Sequence, residues 1–139
     1  MLATRKAPRN RTLLERRVAE AVSEQERASA EFDLALFHDN NSREAEAIPN
    51  YEAALKRGLS GERKAQCLAW LASSYCKTRK FDSARRRLQE AREATSDAKL
   101  LVFLNRLERR IKRDEVMADM TKLARLLLRE ARRGGKADA

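Results

Sequence analysis

Residues 65–97 read AQCLAWLASSYCKTRKFDSARRRLQEAREATSD. Small residues stand at Ala65, Ala72, Ala84 and Ala91, and large ones at Leu68, Leu71, Tyr75, Phe81 and Leu88. Within each half the apolar positions recur every three or four residues, the spacing of one face of an α-helix. The short turn Thr78–Phe81 separates the halves, so the pattern predicts a helix over about Glu62–Lys77 and a second over about Asp82–Thr95. Small side chains let two antiparallel helix backbones approach closely, and Leu and aromatic residues fill the remaining gaps. One such hairpin cannot bury its apolar face alone and has to stack on neighbours.

Upstream, a helix is expected over about Arg43–Arg57. Pro49 lies inside it, which predicts a kink or a loosened first turn. Gly58 is a natural C-terminal cap, and Ser60-Gly61 completes the turn. Before it, Thr12-Leu13-Leu14-Glu15 fits a capping box and opens a long helix, roughly Leu13 to His38. The stripe Leu14, Val18, Ala21, Gln25, Ala28, Phe32, Ala35 advances by four and three, a seam for the chain's own next helix or for another subunit. Downstream, Ser96-Asp97 can cap a fifth helix, about Ala98–Lys112, with Leu100, Leu104, Leu107 and Ile111 on one face. A sixth is expected over about Asp114–Arg133, with Val116, Met120, Leu123 and Leu127 on one face, and Gly134-Gly135 as its stop. The expectation is therefore all-α: a domain over 12–133 with hairpins at about 13–57, 62–95 and 97–133. Flexible segments are expected at 1–11, which is basic, and at 134–139.

The central pattern resembles the tetratricopeptide repeat family. With Ala65 as repeat position 1, Leu68, Leu71, Ala72, Tyr75, Phe81, Ala84, Leu88 and Ala91 fall on the family's packing positions. Leu68 replaces the frequent Trp, Ala72 the frequent Gly and Ser96 the frequent Pro. Ala47, Tyr51 and Ala54 repeat the second-helix pattern 37 residues earlier, while the first hairpin carries Leu34 and Ala35 but His38 in place of Tyr75. At 98–131 the match is degenerate, with Asn105, Glu108 and Thr121 at positions that are normally small or apolar, as befits a terminal repeat. The segments Ala45–Leu59 and Ala69–Tyr75 also look like small bacterial tetratricopeptide proteins of group 5. The resemblance implies a short right-handed superhelix of stacked hairpins.

Composition agrees with a helical domain. The chain has 139 residues, with only 4 Gly and 2 Pro, so little is available for long loops. Charged residues make up 37%, yet the 42% apolar residues recur at helical period, which describes solvated helix faces rather than disorder. The net charge of +10 is uneven: residues 1–70 carry 12 basic and 11 acidic side chains, residues 71–139 carry 19 and 10. Cys67 and Cys76, nine residues apart on one helix, stand about 180° apart around its axis and can neither chelate one metal nor pair. Two reduced structural thiols, and no apolar run near the ~20 residues needed to span a bilayer, point to a cytoplasmic protein without a membrane partner.

The residues offer little for catalysis. His38 is the one histidine, and its place near the Asp39 turn reads as capping or packing. No Gly-rich phosphate cradle, no Ser/His/Asp arrangement and no zinc-ligand spacing occurs, so no catalytic, cofactor-binding or metal-ligating residue is assigned and no enzyme activity is expected.

Binding is the better expectation. The resemblance implies a concave groove lined by the first helix of each hairpin, which places Gln66, Ala69, Trp70, Ser73, Cys76 and Lys77, and then Lys99, Val102, Phe103, Arg106, Arg109 and Arg110, along it. Independently, Arg106, Arg109, Arg110 and Arg113 lie at i, i+3, i+4 and i+7, a basic stripe away from the Leu104–Leu107–Ile111 face. Trp70, Ser73, Lys77, Lys99, Phe103, Arg106, Arg109, Arg110 and Arg113 are the candidate partner-binding residues, for a peptide or partner helix of acidic character. The Lys and Asn clamp for chaperone tails is not reproduced, since Phe32, Asp33 and Leu36 stand at equivalent first-hairpin positions. Two rival classes stay open. Arg85-Arg86-Arg87 and the Arg-rich last helices could meet the phosphates of a nucleic acid, although aromatic residues at 5% leave few stacking platforms. Met117, Met120, Leu126, Leu127 and Leu128 exceed one hairpin's needs and fit a homodimer or scaffold contact.

Overall fold

The computed structural model describes residues 10–137. Six helices and no strand are found among them: α1 (Arg11–Glu20), α2 (Glu24–Asn40), α3 (Glu44–Lys56), α4 (Gly61–Lys77), α5 (Phe81–Ala94) and α6 (Ala98–Ala137). Residues 1–9, most of the segment expected to be flexible, and the last two residues of the expected tail lie outside the described residues.

The helices form two layers. Arg63 of α4 donates to Asp33 of α2 at 3.0 Å, and the Trp70 ring of α4 lies 4.9 Å from the Phe103 ring of α6, so α2, α4 and the first half of α6 are neighbours. Behind them, α3 and α5 are joined by Arg87 and Glu52. Small residues permit the close crossings, with Ala47, Ala54, Ala65, Ala69, Ala72, Ala84 and Ala91 wholly buried. One core cluster lies among α2, α3 and α4, around Phe32, Tyr51 and Leu71. The other lies among α4, α5 and α6, around Leu68, Leu88, Leu104 and Ile111. Leu55 and Tyr75 pack against both and join the hairpins. Cys67 belongs to the first cluster and Cys76 to the second, on opposite sides of α4.

Three turns end in the same way. After α3, the Gly58 N–H donates to Leu55 O and the Leu59 N–H to Ala54 O, with Gly58 at φ +94°. This six-residue closure satisfies carbonyls that the helix end would leave bare, and the buried Leu59 pins it. Ser42 after α2 and Arg79 after α4 take the same left-handed place, at φ 59° and 63°, without being glycine.

Two helix boundaries differ from the sequence expectation. The long helix Leu13–His38 is broken in two. Ala21 is extended, Ser23 accepts from the Glu26 N–H at 3.1 Å, and the Glu26 carboxylate accepts from the Val22 N–H at 3.1 Å. A capping signature at Ser23–Glu26 therefore starts a new helix inside the apparent stripe. The first helix also begins earlier, since Asn10, not Thr12, caps it by accepting from Leu13 N–H. At the other end, the turn expected at Arg113-Asp114 does not form, and residues 97–133 do not fold into a hairpin. Lys99 to Arg133 contains neither Gly nor Pro, so nothing stops the helix, and α6 runs 40 residues. Nor does Gly134 stop it: a glycine inside a helix costs only about 1 kcal/mol and terminates one chiefly in the left-handed conformation. α3 continues through Pro49 to Lys56.

Candidate interaction surface

α1 runs antiparallel along α2, with Arg11 reaching Glu46 beyond the end of α2 and Arg17 pairing with Asp33 in its middle at 3.3 Å. Phe32 and Leu36 are buried, and Asp33, which also takes Arg63, is nearly so. The Arg63 guanidinium lies 4.8 Å over the Phe32 ring. The first hairpin's equivalent of a groove is thus filled by packing.

Around α4 and α6 the surface is different. Leu100, Leu104, Leu107 and Ile111 turn into the core at steps of four, three and four, which fixes the rotation of α6. About a quarter-turn round the helix, at ~100° per residue, Lys99, Phe103, Arg106 and Arg110 form a row that borders α4. Phe103 meets Trp70 with rings tilted by 60°. Both rings are half-buried, and the Trp70 Nε1–H is enclosed without an acceptor among the described residues. Arg110 donates to Ser73 Oγ at 2.7 Å. The structure therefore brings Trp70, Ser73, Phe103 and Arg110 together. Ser73 is covered, as are Ala69 and Cys76, so the α4 side is a packed floor rather than an open trough.

The cations around this floor are solvent-exposed. Lys99, Arg106 and Arg109 have no hydrogen-bond or ion-pair partner among the described residues, and Arg113 pairs only with its neighbour Asp114, at 3.6 Å. Elsewhere on the domain several arginines are paired, Arg57 with Glu24, Arg85 with Asp82 and Glu115, Arg87 with Glu52 and Glu90, Arg92 with Glu108, while Arg16, Arg27, Arg79 and Arg86 have no ion pair among the described residues. Lys77 is separate. It pairs with Glu44 at 3.6 Å and borders a cleft of about 370 Å³ with Cys76, Arg79, Phe81, Asp114 and Met117, where α6 leaves the body.

The polar groups inside the domain are structural in character. His38 is buried, accepts from Arg43 Nε at 3.3 Å through Nδ1, and packs against Phe37. Burial holds its pKa below the ordinary value, against the opposing pull of Glu46. Asp39 accepts from the Tyr51 hydroxyl at 2.8 Å, and burial raises its carboxyl. The Tyr75 hydroxyl donates to Glu52, and burial pushes its pKa up to about 12. Both thiols are free and raised by burial, which keeps them protonated and unreactive. Among the described residues no group of three or more His, Cys, Asp or Glu side chains is placed to hold a metal ion. No helix among them is long and apolar enough to cross a membrane.

A further exposed surface lies along the second half of α6. Val116, Met117, Met120, Leu123, Leu126, Leu127 and Leu128 are all exposed, because no other helix covers this half. From the sequence, Val116, Met120, Leu123 and Leu127 were expected on one face of a hairpin that does not form, and Met117, Met120, Leu126, Leu127 and Leu128 were expected to exceed one hairpin's needs. The absence of any helix breaker after Ala98 was the signal.

The comparisons with known proteins agree with the helix pattern. A family model described as tetratrico peptide repeat matches residues 28–137. No curated protein and no solved structure matches the chain. The matched span holds α3, α4, α5, α6 and most of α2, well over half of the sequence. The family is one of protein–protein interaction modules, and this chain belongs to the tetratricopeptide repeat family.

Proposed function

We propose that the chain is a non-enzymatic binding module whose α4–α6 face takes an acidic segment of a protein partner. The observation that carries this reading is the half-buried Trp70–Phe103 pair beside exposed, unpaired cations. Lys99 and Arg106 stand exposed and without a carboxylate partner among the described residues on the same row of α6 as Phe103, whose ring meets Trp70, and Arg109 follows them, also unmatched. A half-buried aromatic pair rimmed by unpaired cations offers apolar contact together with charge-assisted hydrogen bonds, the combination that anchors carboxylate-rich peptides. Arg113 extends the row, while Lys77 stands apart at the cleft.

The test is fluorescence anisotropy with labelled Glu-rich 12-residue peptides containing Leu or Phe, against a single-stranded oligonucleotide of equal charge. The reading predicts that a peptide binds with a shallower salt dependence than the oligonucleotide. Lys99→Glu with Arg106→Glu should weaken that binding at least tenfold, while far-UV circular dichroism stays unchanged. Peptide binding indifferent to both reversals, or binding of the oligonucleotide alone, overturns it. The latter result would make the cationic surface a phosphate-backbone site.

A further inference from the structure

Arg113, Val116, Met120, Leu123, Leu127 and Glu130 follow one another along α6 at steps of three, four, three, four and three. That is the seam spacing of a two-helix coiled coil. Val116, Met120, Leu123 and Leu127 are 55%, 61%, 56% and 61% exposed. The seam lies on the side of α6 opposite the Leu100–Ile111 stripe, so the packing that holds the first half of α6 cannot cover it. Charged side chains gather on the other face, where Lys122, Arg125, Arg129 and Arg133 keep the helix in water. A contiguous apolar face of this length on a solvated helix marks an interaction surface.

The ends of the seam say what covers it. One end is Arg113 and the other is Glu130, with four apolar residues between them. If a second copy lies antiparallel, Val116 meets Leu127, Met120 meets Leu123, and Arg113 meets Glu130 at both ends. Parallel pairing in register would set Arg113 against Arg113 and Glu130 against Glu130. The seam is therefore complementary to itself in one direction only, as a two-fold contact requires. In the single chain these two ends have only local partners, Asp114 for Arg113 and Arg133 for Glu130, and both side chains are more than two-thirds exposed.

We infer that two copies of this chain associate through the antiparallel pairing of the free halves of α6, with Arg113 of each facing Glu130 of the other. The symmetry centre falls between Thr121 and Lys122, which sets the two copies of Arg113 about 26 Å apart along the axis at 1.5 Å per residue. The two helical bodies thus sit at opposite ends of the pair, and Lys99 and Arg106 stay uncovered. The inference does not rest on the peptide-binding reading.

Sedimentation equilibrium on the full chain tests it. The mass should rise with concentration from 15.9 kDa toward twice that value. Arg113→Glu alone, or Glu130→Arg alone, places like charges at both ends of the seam and should weaken association at least tenfold. The double variant Arg113→Glu with Glu130→Arg exchanges the partners and should restore it. Both sites are exposed, so circular dichroism should show all three variants folded. A monomer at every concentration overturns the inference, as does association that ignores the single reversals or that the double exchange fails to recover.

Discussion

At the scale of single residues, the polar groups inside this domain tie helices together. Glu52 receives both the Tyr75 hydroxyl and Arg87, which joins α3 to α4 and α5. Asp33 receives Arg17 and Arg63, which joins α2 to α1 and α4. His38 has a consequence that titration can read. Its pKa in the folded chain lies below the ordinary 6.5, so the unfolded chain takes up a proton more readily. Stability is then highest above 6.5 and falls as pH drops through 6.5 toward the folded value. The raised carboxyl of Asp39 acts with the opposite sign, since the folded chain holds that proton more readily and its contribution to stability grows as pH falls through the raised value toward the ordinary 3.8. Urea midpoints should be lower at pH 5.5 than at pH 7.5, and His38→Gln should shrink that difference. An equal difference in the variant would mean that other groups carry the pH dependence.

At the scale of elements, the turns hold unused stability. Arg79 sits at φ 63°, where an L-residue with a Cβ costs roughly 1 kcal/mol relative to glycine. Arg79→Gly should therefore raise the unfolding free energy by about 0.5–1 kcal/mol, read as a higher denaturant midpoint at unchanged slope. A lower midpoint would show that the Arg79 side chain, at the edge of the cleft, contributes more than its backbone strain costs. Elements also show what the sequence made legible. The α4–α5 hairpin could be read from its small and large residues because those choices are dictated locally, by how closely two backbones approach. The α3 end at Gly58 could be read because the left-handed turn favours glycine. The α1–α2 break was hidden because Ala21 and Gln25 prolong a plausible seam, and the capping pair Ser23–Glu26 outweighs it. The length of α6 was misread because its apolar stripe was taken to need a partner within the chain. Helical spacing alone gave the stripe Arg106, Arg109, Arg110 and Arg113, and the repeat resemblance implied Lys99 and Phe103 beside it, whereas the covering of Ser73 by Arg110 depends on how α4 and α6 meet.

At the scale of the whole molecule, one helix carries the account. The first half of α6 closes the core and presents cations beside Trp70 and Phe103, and its second half leaves the body with an apolar seam exposed. The pairing of two chains requires that α6 pass straight through Arg113 and Asp114, without folding back to complete a third hairpin. The most direct measurement is a pulsed electron–electron distance between nitroxide labels at Lys99→Cys and Arg125→Cys. Labelled chains would be diluted in unlabelled protein so that only distances within one chain are read. Cys76 borders the cleft at the foot of α6, so Cys67 and Cys76 would be replaced by Ala in the labelled chain and only the two introduced thiols would react. A continuous helix rises 1.5 Å per residue, which predicts about 39 Å between the labelled backbones. A distance of roughly 10–15 Å, the separation of neighbouring antiparallel helices and their labels, would mean that the chain turns back near Arg113, and would contradict the account.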